Sequence, residues 1–252
     1  MVHLNNPSLP HIKKYSEAIR EARLAGDDAF QSWFNKASNV QETIVRGYWD
    51  FSFHILTRKI GPYLDHSEEK IALEIGYGGG RLLNAACSFF KEAIGIDIHE
   101  ENEVVETFLR SQGKTNFRLI RTIGDTIEVD PDSIDFVYSF IVLQHLATYS
   151  MLIKYVQESF RCLKPGGVAQ LYFGKYSKIH LIDRVRYYAQ GYKEITNASV
   201  NFTSLVVRGS RMKQLCIATG FEVIDCGSSY KKFPYSSTLK KGGQNYLTLL
   251  KR

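Results

Sequence analysis

The feature that most constrains this chain is the stretch Ala72-Leu73-Glu74-Ile75-Gly76-Tyr77-Gly78-Gly79-Gly80-Arg81-Leu82-Leu83, an apolar run that breaks into glycines and resumes in a helical pattern. A short apolar run bounded by glycines reads as a buried strand, and the leucines that follow read as the opening of a helix. Glycine at 76, 78 and 80 lets the backbone take positive φ and approach a ligand without a Cβ in the way. The helix start beside it offers unpaired N–H groups to a negative group. Such a turn at the carboxyl end of a first strand is where open parallel sheets hold nucleotides.

The rest of the pattern agrees with a sheet of that kind. Between Lys70 and Phe173, β-branched runs predicted as strands at 71–75, 93–98, 117–122, 134–140 and 168–173 alternate with amphipathic stretches. The clearest helix is 151–163, where Leu152, Tyr155, Val156, Phe160 and Leu163 recur at helical spacing before Pro165-Gly166-Gly167 breaks the pattern. Beyond Phe173 an irregular basic and aromatic stretch leads to a helix at 210–219 and strands at 221–226 and 244–250, a pair able to run antiparallel. The expected fold is an α/β three-layer sandwich with a mostly parallel seven-stranded sheet whose last strand is antiparallel. A charged helical segment at 12–39 and the aromatics Tyr48, Trp49, Phe51 and Phe53 place an N-terminal helical cap over residues 1–66.

Composition sets the class. With 44% hydrophobic and 23% charged residues in 252, the chain has globular proportions, and a unit of this size needs no disulfide or metal staple. Cys87, Cys162, Cys216 and Cys226 stand singly, with no metal-ligand or thiol-exchange spacing, as expected of a cytoplasmic protein without a metal site. No apolar run resembles a signal peptide or approaches a membrane span, so the sequons at Asn197 and Asn201 read as chance matches. The net charge of +6 is unevenly spread: 14 Lys and Arg face 4 Asp and Glu from Gly174 onward, against 18 and 22 before it. That imbalance is either a solvated basic surface or an attraction for an anionic substrate.

Spacing separates the nucleotide chemistries open to the glycine turn. A phosphate-gripping loop needs Gly-Lys-Ser/Thr, and Gly80-Arg81-Leu82 stands there instead. The dinucleotide fingerprint needs glycine at 81 or 83, where Arg81 and Leu83 stand. Glu74 followed by Gly76, Gly78 and Gly80 resembles the first motif of class I S-adenosylmethionine-dependent methyltransferases. The resemblance continues in order through Gly95-Ile96-Asp97-Ile98, Gly124-Asp125-Thr126, Ser133 to Ser139 with Val142-Leu143-Gln144-His145-Leu146, and Leu163-Lys164-Pro165-Gly166-Gly167. It implies a methyltransferase domain over 67–252 with an acceptor-side insertion at about 174–209, and S-adenosyl-L-methionine as cofactor. The cofactor residues it implies are Glu74, Gly76, Tyr77, Gly78, Gly80, Asp97, Ile98, Asp125, Thr126 and Ser139.

The residues carry a reading of their own. A carboxylate at a strand end, such as Asp97, can accept two hydrogen bonds from a ribose diol or can cap the next helix. Asp125 can accept from an exocyclic amine or serve as a turn residue. Glu74 can pair with an ammonium group or simply hold the loop. His145, in the turn after the fourth strand, is the candidate general base, with a histidine held by a backbone carbonyl as the alternative. No Asn/Asp-Pro-Pro-Tyr-like motif for exocyclic base amines stands after the fourth strand, where Tyr138-Ser139-Phe140-Ile141 lies. No Pro-Cys nucleophile and no magnesium-holding carboxylate cluster occurs there either. The expected partner is therefore a small-molecule, sugar or lipid-intermediate acceptor. Arg184, Arg186, Tyr187 and Tyr188 with Lys231, Lys232, Lys240 and Lys241 leave a phosphorylated acceptor open, and His180 with Tyr176 are candidate pocket lining. An RNA-directed enzyme and a non-catalytic cofactor-binding module of the same fold are the alternatives, nucleic acid being less favoured. Trp33, Phe34, Tyr48 and Trp49 are candidates for a cover over the cofactor. The sequence leaves the oligomeric state open.

Overall fold

The computed structural model of the chain describes residues 9–124, 126–175, 181–196, 198–231 and 240–252. Helices α1 (Leu9–Leu24), α2 (Asp27–Asn35) and α3 (Val40–Asp50) come first. Lys36, in the left-handed region, ends α2, and the Asn39 side chain accepts the Glu42 N–H to start α3. The alternation then begins with β1 (Ile71–Ile75), α4 (Arg81–Ala86), β2 (Glu92–Asp97), α5 (Asn102–Ser111), β3 (Phe117–Arg121), β4 (Ile134–Ser139), α6 (Tyr149–Cys162) and β5 (Leu163–Gly174). It is followed by α7 (Leu181–Gln190), β6 (Tyr192–Glu194), β7 (Leu205–Val207), α8 (Gly209–Thr219), β8 (Phe221–Lys231) and β9 (Lys240–Lys251).

The sheet order is β3-β2-β1-β4-β5-β9-β8, parallel through β5, with β9 antiparallel to both its neighbours. This is the α/β arrangement the sequence predicts, with the last strand running against the rest. Alternation along the strands feeds two cores. Leu73, Ile75, Ile94, Ile96, Val137 and Ala169 face α6 and α8, while Ala72, Ala93, Phe136, Tyr138 and Val168 face the helices on the other side.

Two local features depart from the sequence reading. The break at Pro165-Gly166-Gly167 lies inside β5, which starts two residues before it, and the pairing with β4 shifts register between Ile134 and Phe136. Gly167 makes this possible, because a Cβ there would stand 2.9 Å from the Lys164 carbonyl oxygen. The stretch after Phe173 also holds regular structure: α7 and the small antiparallel pair β6–β7.

Candidate active site

The strand order reverses between β1 and β4, so the chain leaves the two strands in opposite directions and a crevice opens beyond their carboxyl ends. Gly76, Gly78 and Gly80 turn the chain there with φ of 78°, 52° and 82°. Gly80 is the N-cap of α4, and its N–H bonds the Tyr77 carbonyl at 2.8 Å. Asp97 closes β2 with its side chain 11% exposed. Its Oδ2 accepts the Gly78 N–H at 2.8 Å and its Oδ1 accepts the Ile98 N–H at 2.7 Å. A carboxylate has about four acceptor positions, so lone pairs remain on both oxygens. Buried His99 holds the loop from below: its Nε2 donates to the Gly78 carbonyl at 3.1 Å while Nδ1 accepts the Glu101 N–H at 3.2 Å.

Glu74 lies one residue before the end of β1 and is buried. The Tyr138 hydroxyl on β4 donates to its Oε2 at 3.0 Å. Burial pushes the carboxyl up to about 8, outweighing the Tyr138 hydrogen bond and the Arg81 charge, so the group is mostly protonated at neutral pH. Arg81, the first residue of α4, pairs with Asp50 at the end of α3. Its charge is therefore already countered.

The turn after β4 closes a second wall. Ile141, a β-branched residue, has φ of 64°, and the bend sets Val142 into the space a Gly76 Cβ would occupy, with Cγ2 2.3 Å from that position. His145 follows. Its Nδ1 lies 2.9 Å from the Phe202 carbonyl oxygen, which requires a proton on that nitrogen, and its Nε2 takes the Gln144 amide at 3.1 Å. Burial holds its pKa below the ordinary imidazole value, against the opposing Phe202 carbonyl, so the ring is neutral at pH 7. His11 donates to the His145 carbonyl at 2.7 Å, and the Tyr15 hydroxyl lies 3.2 Å from His145 Nδ1 and accepts the Asn201 N–H at 3.1 Å.

One cavity collects Glu74, Gly76, Tyr77, Gly78, Asp97, Ile98 and His145. Trp33 and Phe34 of α2 line it too, with Phe34 filling the space beside Gly78 and Gln31 donating to the Gly79 carbonyl at 3.1 Å. Gly80, Thr126 and Ser139 stand outside its lining: Thr126 accepts the Thr122 hydroxyl through its carbonyl, and buried Ser139 donates to the Ile75 carbonyl at 3.3 Å. Tyr48 and Trp49 turn elsewhere, Tyr48 to Ser88 and Trp49 onto Phe53. Asp125, Tyr176, His180 and Lys232 lie outside the described residues, as do the side chains of Arg186, Lys231, Lys240 and Lys241. His11 and Tyr15 are lining residues the sequence reading missed, although their four-residue spacing with Ile19 on one helical face was a usable signal. The sequence reading placed Val142 in the turn after the fourth strand but gave no sign of its contact, because its partner is the empty side of a glycine.

The fold and the place of the crevice together are those of class I, Rossmann-like methyltransferases. Residues 73–171 match the family model described as a methyltransferase domain. Similar solved structures include an S-adenosylmethionine-dependent methyltransferase from Clostridium acetobutylicum (15% identity, TM-score 0.61, covering 87% of this chain and 99% of that one). Others are a putative one from Listeria monocytogenes (14%, 0.60, 82% and 98%) and one from Methanosarcina mazei (21%, 0.57, 77% and 97%). No curated protein matches the chain. Residues 73–171 are thus a methyltransferase domain, and S-adenosylmethionine is the cofactor that this domain family and the similar structures imply. The crevice fits that group: a glycine turn with positive φ, apolar walls from Ile75, Ile96 and Ile98, and two carboxyl groups suited to a ribose diol and a cationic amino acid end. No described helix is long and apolar enough to cross a membrane.

Proposed function

We propose that the chain methylates a small-molecule acceptor, a sugar or lipid intermediate being included, in the part of the crevice between His145 and the aromatic residues of α1 and α2. The observation that carries the reading is the fixed Asp97 carboxylate facing a glycine turn with positive φ at 76, 78 and 80. In this reading Asp97 holds the ribose hydroxyls and Ile98 walls one face of the adenine. Gly76, Tyr77, Gly78 and Gly80 shape the backbone cradle, and Glu74 faces the ammonium end. Asp125 and Thr126 belong to the adenine side, while Ser139 ties β4 to β1 beneath the site. The cofactor, when bound, supplies an electrophilic methyl on a sulfonium.

The chain's own contribution is mostly alignment and exclusion of water. His145 is the proposed base: the Phe202 carbonyl fixes the proton on Nδ1, so Nε2 carries the lone pair, and an acceptor hydroxyl or amine would displace the Gln144 amide from it. Residues 1–66 act as the cap and residues 174–209 as the acceptor-side insertion. Support comes from Gln31 and Phe34 on the glycine turn and from Lys14, Tyr15 and His11, which reach Ala198, Asn201 and His145. The four cysteines are all free, which fits a cytoplasmic location.

The test is thermal unfolding with S-adenosylhomocysteine and with NAD. The first ligand should raise the melting temperature, since a hundredfold excess over the dissociation constant stabilises the native state by about 2.7 kcal/mol. Stabilisation by NAD alone would refute the assignment of these residues.

A further inference from the structure

A second cleft lies on the same carboxyl edge of the sheet, beyond β5. It is floored by Lys175, directly after β5, and by Asn245 on β9, which sits opposite Phe173 in the antiparallel register. Arg208 and Ser210 border it at the start of α8, and Tyr187 and Tyr188 border it from α7. The described lining is cationic. Among the described residues no carboxylate pairs with Lys175 or Arg208, and none lines the cleft. Among the described residues, Lys175 Nζ has a 3.5 Å contact with the Ser228 hydroxyl as its one side-chain partner. That hydroxyl donates to Asn245 Oδ1 at 2.8 Å, which turns the amide so that its NH2 end remains a donor.

Arg208 is already positioned. Nη1 donates to the Tyr188 carbonyl at 2.9 Å and the guanidinium carbon stands 5.1 Å from the centroid of the Tyr188 ring, itself 49% exposed. A guanidinium fixed by one N–H and by its flat face keeps its other donors for a ligand and loses little freedom on binding. Two cations with no carboxylate partner among the described residues, an amide donor and a hydroxyl around one cleft, next to an exposed ring, match a phosphate group carried on a ring. The cleft also adjoins the methyl-transfer side: a Cβ on Gly174 would stand 2.1 Å from the Leu205 carbonyl oxygen and 3.1 Å from Gln144 Cβ, one residue from His145.

We infer that Lys175, Arg208, Asn245 and Ser210 form a phosphate-binding subsite that holds a phosphate group of the acceptor while its other end reaches the crevice. Assignment of the phosphate to the acceptor rests on the function proposed above; the anion site itself does not. The cleft's cations belong to the strongly basic stretch from Gly174 onward, which would steer such an acceptor to this face.

The test is calorimetric titration of the full chain, in phosphate-free buffer, with inorganic phosphate, phenyl phosphate and phenol, each with and without saturating S-adenosylhomocysteine. Phenyl phosphate should bind about tenfold more tightly than either fragment and weaken severalfold when salt is raised to about 0.3 M. Lys175→Gln and Arg208→Gln should each weaken it by about tenfold. Asn245→Asp, which adds a negative charge to the floor, should abolish it, while S-adenosylhomocysteine affinity stays within about twofold. Protein that binds S-adenosylhomocysteine but not phenyl phosphate, or whose phenyl phosphate affinity ignores all three substitutions, overturns the subsite and leaves the proposed function standing. Tight binding of inorganic phosphate with no gain from the ring keeps the anion site and overturns its role as a holder of ring-borne phosphate. Loss of S-adenosylhomocysteine binding in the unmodified chain would instead strike the proposed function.

Discussion

Glu74 should make the ligand-free protein lose stability as pH rises. Its carboxyl is buried with a single hydrogen-bond donor, Tyr138, and burial lifts it from an ordinary value of 4.5 to about 8. The folded state therefore holds the proton more tightly than the unfolded chain does. The resulting stability is fully present below about 4.5 and is lost as pH climbs through about 8, where the carboxyl must ionise in place. A gap of about 3.5 units at about 1.36 kcal/mol each sets an upper limit of about 5 kcal/mol, less whatever relaxation lets water reach the group. Urea unfolding at a series of pH values between about 5 and 9 reads this out, with Glu74→Gln as the control. The substitution keeps the shape and cannot titrate, so subtracting its profile removes every other group, His54 and His145 included. The unmodified protein should fall behind Glu74→Gln by several kcal/mol over that range. Two parallel profiles would refute the reasoning, because they would mean that Glu74 is as ionised in the fold as it is outside it. With the ammonium group placed beside Glu74 as proposed, saturating S-adenosylhomocysteine should flatten the slope of the unmodified protein and leave that of Glu74→Gln unchanged.

Other outcomes follow from the same geometry. Asp97→Asn should weaken S-adenosylhomocysteine binding by about 10- to 100-fold in calorimetry, the cost of exchanging charge-assisted for neutral hydrogen bonds. Gly76→Ala forces a Cβ into Val142 at a φ of 78° and should lower stability by about 2 kcal/mol; adding Val142→Ala should recover part of that loss, and a fully additive double variant would count against the contact. Ile141→Gly should raise the melting temperature in the absence of ligand, because glycine takes φ of 64° without the roughly 1–2 kcal/mol penalty of a side chain there. His145→Ala should cut turnover by about 10²- to 10⁴-fold at saturating acceptor once one is found, and unchanged turnover would remove it as a base.

What the sequence made legible follows physical range. β1 was readable to the residue because a parallel strand buried on both faces is mostly apolar, here with Glu74 as the exception, and the glycine turn because its backbone angles admit few other residues. The place of Asp97 at the end of β2 was readable from the β-branched run before it. The neutralisation of Arg81 was not, since it depends on Asp50, 31 residues earlier, and on how α3 lies against α4. The same limit hid the environment of His145. Its local sequence offers only a turn, whereas its state is set by Phe202, Tyr15 and His11, residues 57 to 134 positions away that meet only when the segments flanking the sheet pack together. The sheet core is thus encoded in runs of neighbours and the surroundings of His145 in long-range meetings. On the proposed placement of the acceptor, a chain can keep its cofactor pattern while changing its acceptor by repacking α1 and the stretch from Ser199 to Ser204. Exchanging that stretch between two such enzymes, with β1 to β5 untouched, should move acceptor preference and leave the Asp97-dependent affinity for S-adenosylhomocysteine in place.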